Sequence, residues 1–144
     1  MGLIVADLTL MRMEYASLAV PIACGNLRQY AFALYRQGLI DKKSFKLADK
    51  TISEVDEVAK KIFQEILDSA NHSCLDNDAP SPVKEIFVFI TEQKFFEKTA
   101  TLHELSKTLH EKDNNSYASD CYKEFLSLYL EIRDVTDLLA VMVK

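Results

Sequence analysis

The chain has 144 residues and a formal net charge of −5, with no cluster of Lys or Arg; that distribution lacks the basic footprint used on phosphate backbones or anionic membranes. Its length suits one domain, residues 1–144, which can bury roughly 68–70% of its unfolded-state surface. Apolar residues make up 49% and there are only 3 Gly and 3 Pro, which excludes a disordered chain and favours helices over turns.

The opening stretch, MGLIVADLTLMRMEY, has no basic region before its apolar run and carries Asp7 inside it, unlike a secretory signal. The longest uncharged stretch, Tyr15 to Leu27, falls short of the about 20 residues that a bilayer-spanning helix needs. Cys24, Cys74 and Cys121 are odd in number and far apart, so they suggest neither a disulfide framework nor a zinc site. A cytoplasmic protein with reduced thiols and no membrane segment is the expectation.

In chain order, Leu8, Met11, Tyr15, Leu18 and Ile22 keep a three-four apolar spacing that predicts the packed stripe of a first helix. Pro21 removes one backbone donor and Gly25 weakens the next turn, while Asn26 with Gln29 could cap a fresh start. Residues 3–37 are therefore one kinked helix or two collinear ones. Gly38 supplies a left-handed C′ residue, and Leu39 can reach Leu34 as in a Schellman ending.

Asp41 then caps a new helix, with Ile40 and Phe45 at the positions of a hydrophobic staple. Phe45, Ala48, Ile52, Val55, Ala59, Ile62 and Ile66 form its apolar stripe, and Asp56/Lys60 and Glu57/Lys61 are spaced to pair on the far side. Glu54, Asp56, Glu57, Glu65 and Asp68 read as that solvated side rather than as paired catalytic carboxylates, since nothing apolar surrounds them to shift a pKa. Two antiparallel helices joined by a short turn follow.

The polar, proline-containing stretch at 72–81 reads as a loop. EIFVFIT suits a strand by composition, yet Ser81-Pro82 is a helix start, and Val83, Ile86, Phe87 and Ile90 share a helical face; with no second strand to pair with, residues 83–96 are expected to be helical. Leu102, Leu105 and Leu109 mark another helix, ending near KDNNS, where Asp and Asn compete for backbone hydrogen bonds. The final helix carries Cys121, Phe125, Leu128, Ile132, Val135, Leu139 and Met142, a seven-residue repeat over three heptads.

These elements predict an all-α fold: an antiparallel four-helix-bundle core with one or two extra short helices, in the ferritin-like or cobalamin-adenosyltransferase-like class. Tyr122, Leu126, Tyr129 and Leu138 lie outside the last seam and widen its apolar face. A homo-oligomer, dimer or trimer, assembled through the C-terminal helix is the resulting expectation; two neighbouring helices of one monomer would also explain the surplus.

Few residues point to chemistry. Gly2, Gly25 and Gly38 are isolated, so no phosphate-cradling loop is encoded. The residues three before His72, His103 and His110 are Ser69, Ala100 and Lys107, which excludes the Glu-x-x-His pairs of di-iron bundles. His103 and His110 share a face but stand about 10 Å apart along a helix, too far for one metal ion, and read as solvated surface residues. Cys121 sits in an apolar seam and reads as a small core hydrophobe. No metal site is expected.

One family resemblance lies in the tail. LHELSKTLHEK (Leu102 to Lys112) and RDVTDLLAVMVK (Arg133 to Lys144) resemble the last two helices of the PduO-type ATP:cob(I)alamin adenosyltransferases. These carry an Arg-Thr-x-x-Arg-Arg run and an Asn-Arg-x-Ser-Asp-Leu-Leu run. Lys107, Thr108, Glu111 and Lys112 fall on the first, and Arg133, Asp134, Thr136, Asp137, Leu138 and Leu139 on the second. The resemblance implies a trimeric bundle holding ATP and a corrinoid between subunits, with Lys107, Lys112, Arg133 and Asp137 as the candidate nucleotide-binding residues.

The departures fall where the family needs positive charge. Lys107 replaces an Arg, while Glu111 and Asp134 reverse the charge of two more, each costing about 1 kcal/mol or more beside a triphosphate. The family's amino-terminal phosphate loop also has no counterpart. The leading expectation is thus a helical-bundle oligomer that keeps the fold without the catalytic apparatus and uses no cofactor. A divergent adenosyltransferase binding Mg-ATP and a corrinoid is the first alternative, and a helical adaptor for a protein partner the second.

Overall fold

The computed structural model describes the backbone of residues 2–75, 82–113 and 119–144, and the side chains of 7–69, 82–113 and 121–144. Five helices account for nearly all of them: α1 (Gly2–Arg36), α2 (Lys42–Leu75), α3 (Val83–Gln93), α4 (Phe95–Lys112) and α5 (Ser119–Met142). There is no strand among the described residues, so the chain is all-α and the ambiguous EIFVFIT segment is helical.

The α1–α2 turn forms as its residues predict. Gly38 takes a φ of 76°, its N–H bonds to the Tyr35 carbonyl, and the Leu39 N–H reaches back to Leu34 at 3.0 Å, the paired bonds of a Schellman ending. The Asp41 carboxylate accepts the Ser44 N–H at 2.7 Å. That backbone bond is the main reason its carboxyl lies below the ordinary range. Phe45 stacks on Tyr35 with ring centroids 5.3 Å apart, and Ile40 is buried beside them.

Of the two readings of residues 3–37 the single helix holds: α1 is continuous with Pro21 inside it, where one i−4 bond is lost. Two differences from expectation concern helix extent. First, α2 runs on to Leu75, since neither Gly nor Pro interrupts it before that point. Second, α3 and α4 are separated by the single residue Lys94, which adopts φ 55°, ψ 44°. Its N–H bonds to the Thr91 carbonyl, and its own carbonyl accepts the Lys98 N–H that opens α4. Ser81, the Asn114–Ser116 stretch and the side chains of His72 and Cys74 lie outside the described residues.

The most extensive helix contacts are α1 with α2, α4 with α5, and α1 with α5; both α3 and α4 also meet α2. Arg28 bonds Asp49 at 2.9 Å across the short α1–α2 turn, so these helices run antiparallel. The core holds the predicted α2 stripe from Ala48 to Ile66, Ile86 and Ile90 of α3, Phe95 and Leu102 of α4, and Phe125, Ile132, Val135 and Leu139 of α5. Each large apolar side chain fully removed from water contributes about 1.5–3 kcal/mol. The predicted i,i+4 pairs form at 3.0 Å for Lys60–Asp56 and 4.0 Å for Lys61–Glu57.

The first helix packs through a face other than the expected one. Its buried residues are Leu10, Met13, Ala16, Val20, Ala23, Cys24, Leu27, Ala31 and Leu34, while Leu8, Met11, Tyr15, Leu18 and Ile22 are 43–67% exposed. Apolar residues occur all round this half of α1. Small residues at Ala16, Ala23 and Ala31 let the other side approach its neighbours closely, which leaves the larger stripe outward.

Candidate functional site

The seam between α4 and α5 is built from a seven-residue repeat on each helix. On α4, Phe96, His103 and His110 recur at i, i+7 and i+14; on α5, Tyr122 and Tyr129 do the same. Side chains seven apart lie nearly in line along a helix, so two such rows brought together antiparallel interleave. Tyr129 stacks on Phe96 at 5.6 Å and on His103 at 5.6 Å. Tyr122 stacks on His103 at 4.9 Å and His110 at 6.2 Å. The result is a five-ring ladder, Phe96–Tyr129–His103–Tyr122–His110, alternating between helices.

This arrangement corrects the reading of both histidines as solvated surface residues. The His103 side chain is only 12% exposed, and His103 Nε2 and His110 Nδ1 are buried with no hydrogen-bond partner among the described residues. His103 Nδ1 faces Glu104 at 3.8 Å. The signal for this was present in the sequence: a matching tyrosine pair on the next helix, in the same seven-residue phase. The ladder can bind the helices together and offers ring faces; among the described residues no group of three His, Cys, Asp or Glu is placed to hold a metal ion.

A cleft of about 260 Å³ opens at the Phe96 end, where the α3–α4 break meets α5. Phe87, Ile90, Phe96 and Ala140 give it apolar walls, and Thr91, Glu97, Thr136 and Asp137 its polar ones. Both threonine hydroxyls donate back to their own helices, to the Phe87 and Ile132 carbonyls.

The four candidate nucleotide residues are all exposed but do not form one group. Asp137 lines this cleft beside Glu97, and Arg133 is one turn away on α5. Lys107 is ten residues further along α4 than Glu97, about 15 Å at 1.5 Å per residue, and Lys112 is farther still. The two lysines and the two α5 residues thus stand at different levels of the bundle. Thr108, one of the matched residues, spends its hydroxyl on the Glu104 carbonyl, and Leu139 is buried.

Asp134, which stands where the resembled family has an arginine, has a different partner here. Arg12 of α1 donates to Asp134 Oδ2 at 2.9 Å and to both carboxylate oxygens of Glu131. The bonds to Glu131, then those to Asp134, hold the guanidinium firmly in its charged form. A carboxylate that would repel a triphosphate instead anchors α1 to α5. At the opposite end of α4, the Tyr30 hydroxyl donates to Asp113 at 2.8 Å, and burial, reinforced by that carboxylate, raises its pKa well above the phenol range. Cys24 is buried between α1 and its neighbours, and loss of solvent pushes its thiol up to about 12. It is kept neutral and is no nucleophile.

No helix among the described residues is long and apolar enough to cross a membrane. No known protein family, curated protein or solved structure matches the chain.

Proposed function

We propose that this protein is a non-catalytic helical-bundle oligomer, dimer or trimer, acting as a structural or binding component in the cytoplasm and needing no cofactor. Its architecture on this reading is an up-down-up-down four-helix bundle whose third arm, α3 and α4, is interrupted at Lys94. In support, α1 meets α2 and α5, and the third arm meets both α2 and α5, a closed ring of neighbours. The resemblance to the adenosyltransferase bundle is then one of arrangement without its nucleotide chemistry.

The observation that carries the reading is the outward row of large apolar side chains on α1, which a lone globule would bury or replace with charge. The engagement of Asp134 by Arg12 supports the non-catalytic part, since the position that would hold phosphate is committed to helix packing. A calorimetric titration with Mg-ATP, alone and with a corrinoid, tests that part: no heat at millimolar ATP is expected. Micromolar binding that Lys107→Ala abolishes would favour the divergent adenosyltransferase instead, with Lys107 and Lys112 of one subunit meeting Arg133 and Asp137 of another.

A further inference from the structure

Among the described residues, two helices carry three or more exposed large apolar side chains. On α5, Leu130, Leu138 and Val141 are exposed, but exposed Arg133, Asp134 and Asp137 lie among them. On α1, Leu8, Met11, Tyr15, Leu18 and Ile22 stand at steps of three, four, three and four residues, the spacing of a heptad seam, on the side opposite the core.

The charge pattern around this second surface is unusual for an exposed helix. Every exposed residue of α1 from Leu8 to Ala33 is uncharged. The charged residues in that span, Arg12, Glu14 and Arg28, are half-buried, and the two arginines are turned aside into ion pairs with Glu131 and Asp134 of α5 and Asp49 of α2. The exposed side of α2, by contrast, is studded with Lys and Glu.

We infer that the α1 stripe is the contact between two copies of this chain, an inference that rests on the oligomer reading above and names its surface. The stripe itself carries no charge and has Asp7 and Glu14 at its border, so an acidic or basic partner finds little to select. Among the described residues it is the longest row of exposed apolar side chains on one helix, and its uncharged centre lets two chains of net charge −5 meet there with few like charges opposed. An isologous contact must be self-complementary, and a heptad row packs against its own copy by seating knobs in holes. The five side chains expose on the order of 500 Å² per copy; two copies together reach the roughly 1,000 Å² lower bound for a specific interface, before the flanking residues are added.

Sedimentation velocity from 1 to 200 µM tests the assignment on the full chain, the Leu18→Glu and Tyr15→Lys variants, and Leu130→Glu on α5. The unmodified chain is expected to associate. Either α1 substitution should raise the dissociation constant at least 100-fold while leaving the far-UV circular dichroism unchanged, because both sites are exposed in the subunit, and Leu130→Glu should have no effect. Association that survives both α1 substitutions but is lost in Leu130→Glu would overturn the α1 assignment and leave assembly through α5. A monomer throughout for the unmodified chain would overturn the oligomer reading itself.

Discussion

Replacing Tyr129 with Leu removes the second ring of the five-ring α4–α5 ladder while keeping apolar bulk in the seam. Tyr129 faces two rings, Phe96 and His103, both with centroids 5.6 Å away and planes within 24° of parallel. Each aromatic pair adds about 0.5–1.5 kcal/mol beyond area burial. At the lower half of that range the two pairs sum to about 1–2 kcal/mol, a fall in melting temperature of roughly 3–6 °C for a domain of this size. Urea unfolding followed at 222 nm would measure it, with no change expected in m.

The informative version is a double-mutant cycle with His103→Leu, in which the Tyr129–His103 stack should appear as a coupling of about 0.5–1 kcal/mol. A coupling within about 0.3 kcal/mol of zero, with both single variants near wild-type stability, would refute the ladder as a source of cohesion. His103 and Tyr129 would then be neighbours that share a seam without holding it.

Further outcomes follow from single features of the structure. Lys94 is the one non-glycine residue with positive φ among those described, a conformation that costs about 1–2 kcal/mol for any side chain with a Cβ; Lys94→Gly should therefore stabilise the fold in urea by up to about 1 kcal/mol, once the entropy that glycine adds to the unfolded chain is subtracted, whereas Lys94→Val should destabilise it, because a β-branched residue fits this region worse than lysine does. The raised pKa of Cys24 means that the unfolded chain gives up its thiol proton first as pH climbs. Stability is therefore unaffected below about pH 9 and falls from there toward pH 12, and Cys24→Val should flatten part of that alkaline decline in a melting series. Arg12→Ala should cost no more than about 1 kcal/mol at low salt and less at 0.5 M NaCl, because the pair is about 40% exposed on both sides; a salt-independent loss would point to packing by the arginine stem instead.

Local signals made the fold class legible. The Gly38 ending, the Asp41 cap and the α2 stripe each depend on residues a few positions apart, and physics at that range is largely independent of the rest of the chain. The helix over EIFVFIT was readable for a similar reason, since Val83, Ile86 and Ile90 mark one helical face. The Lys94 break was not, because lysine carries no preference for the left-handed region and the bend is imposed by packing of Ile90 and Phe95 into the same core.

Non-local geometry accounts for the other departures. The spacing of Leu8 to Ile22 is as good a core stripe as that of Met13, Val20 and Leu27, and a helix that is apolar on all sides does not say which side its neighbours will cover. The histidines look solvated when α4 is taken alone; only the matching seven-residue phase of Tyr122 and Tyr129 on α5 shows that they face a neighbour. The order of Lys107, Lys112, Arg133 and Asp137 along the chain fits a known motif pair, and antiparallel packing sets the lysines and the α5 residues at different levels of one subunit; whether two subunits bring them together depends on assembly, which the pattern of one chain does not encode.

The central claim is that the apolar face left outside the core is there to be covered by another copy. Multi-angle light scattering of the unmodified protein at tens of micromolar measures this directly. The account predicts a mass at least twice the 16.4 kDa of the single chain, falling toward that value on dilution. A mass of 16.4 kDa maintained up to 200 µM would contradict it.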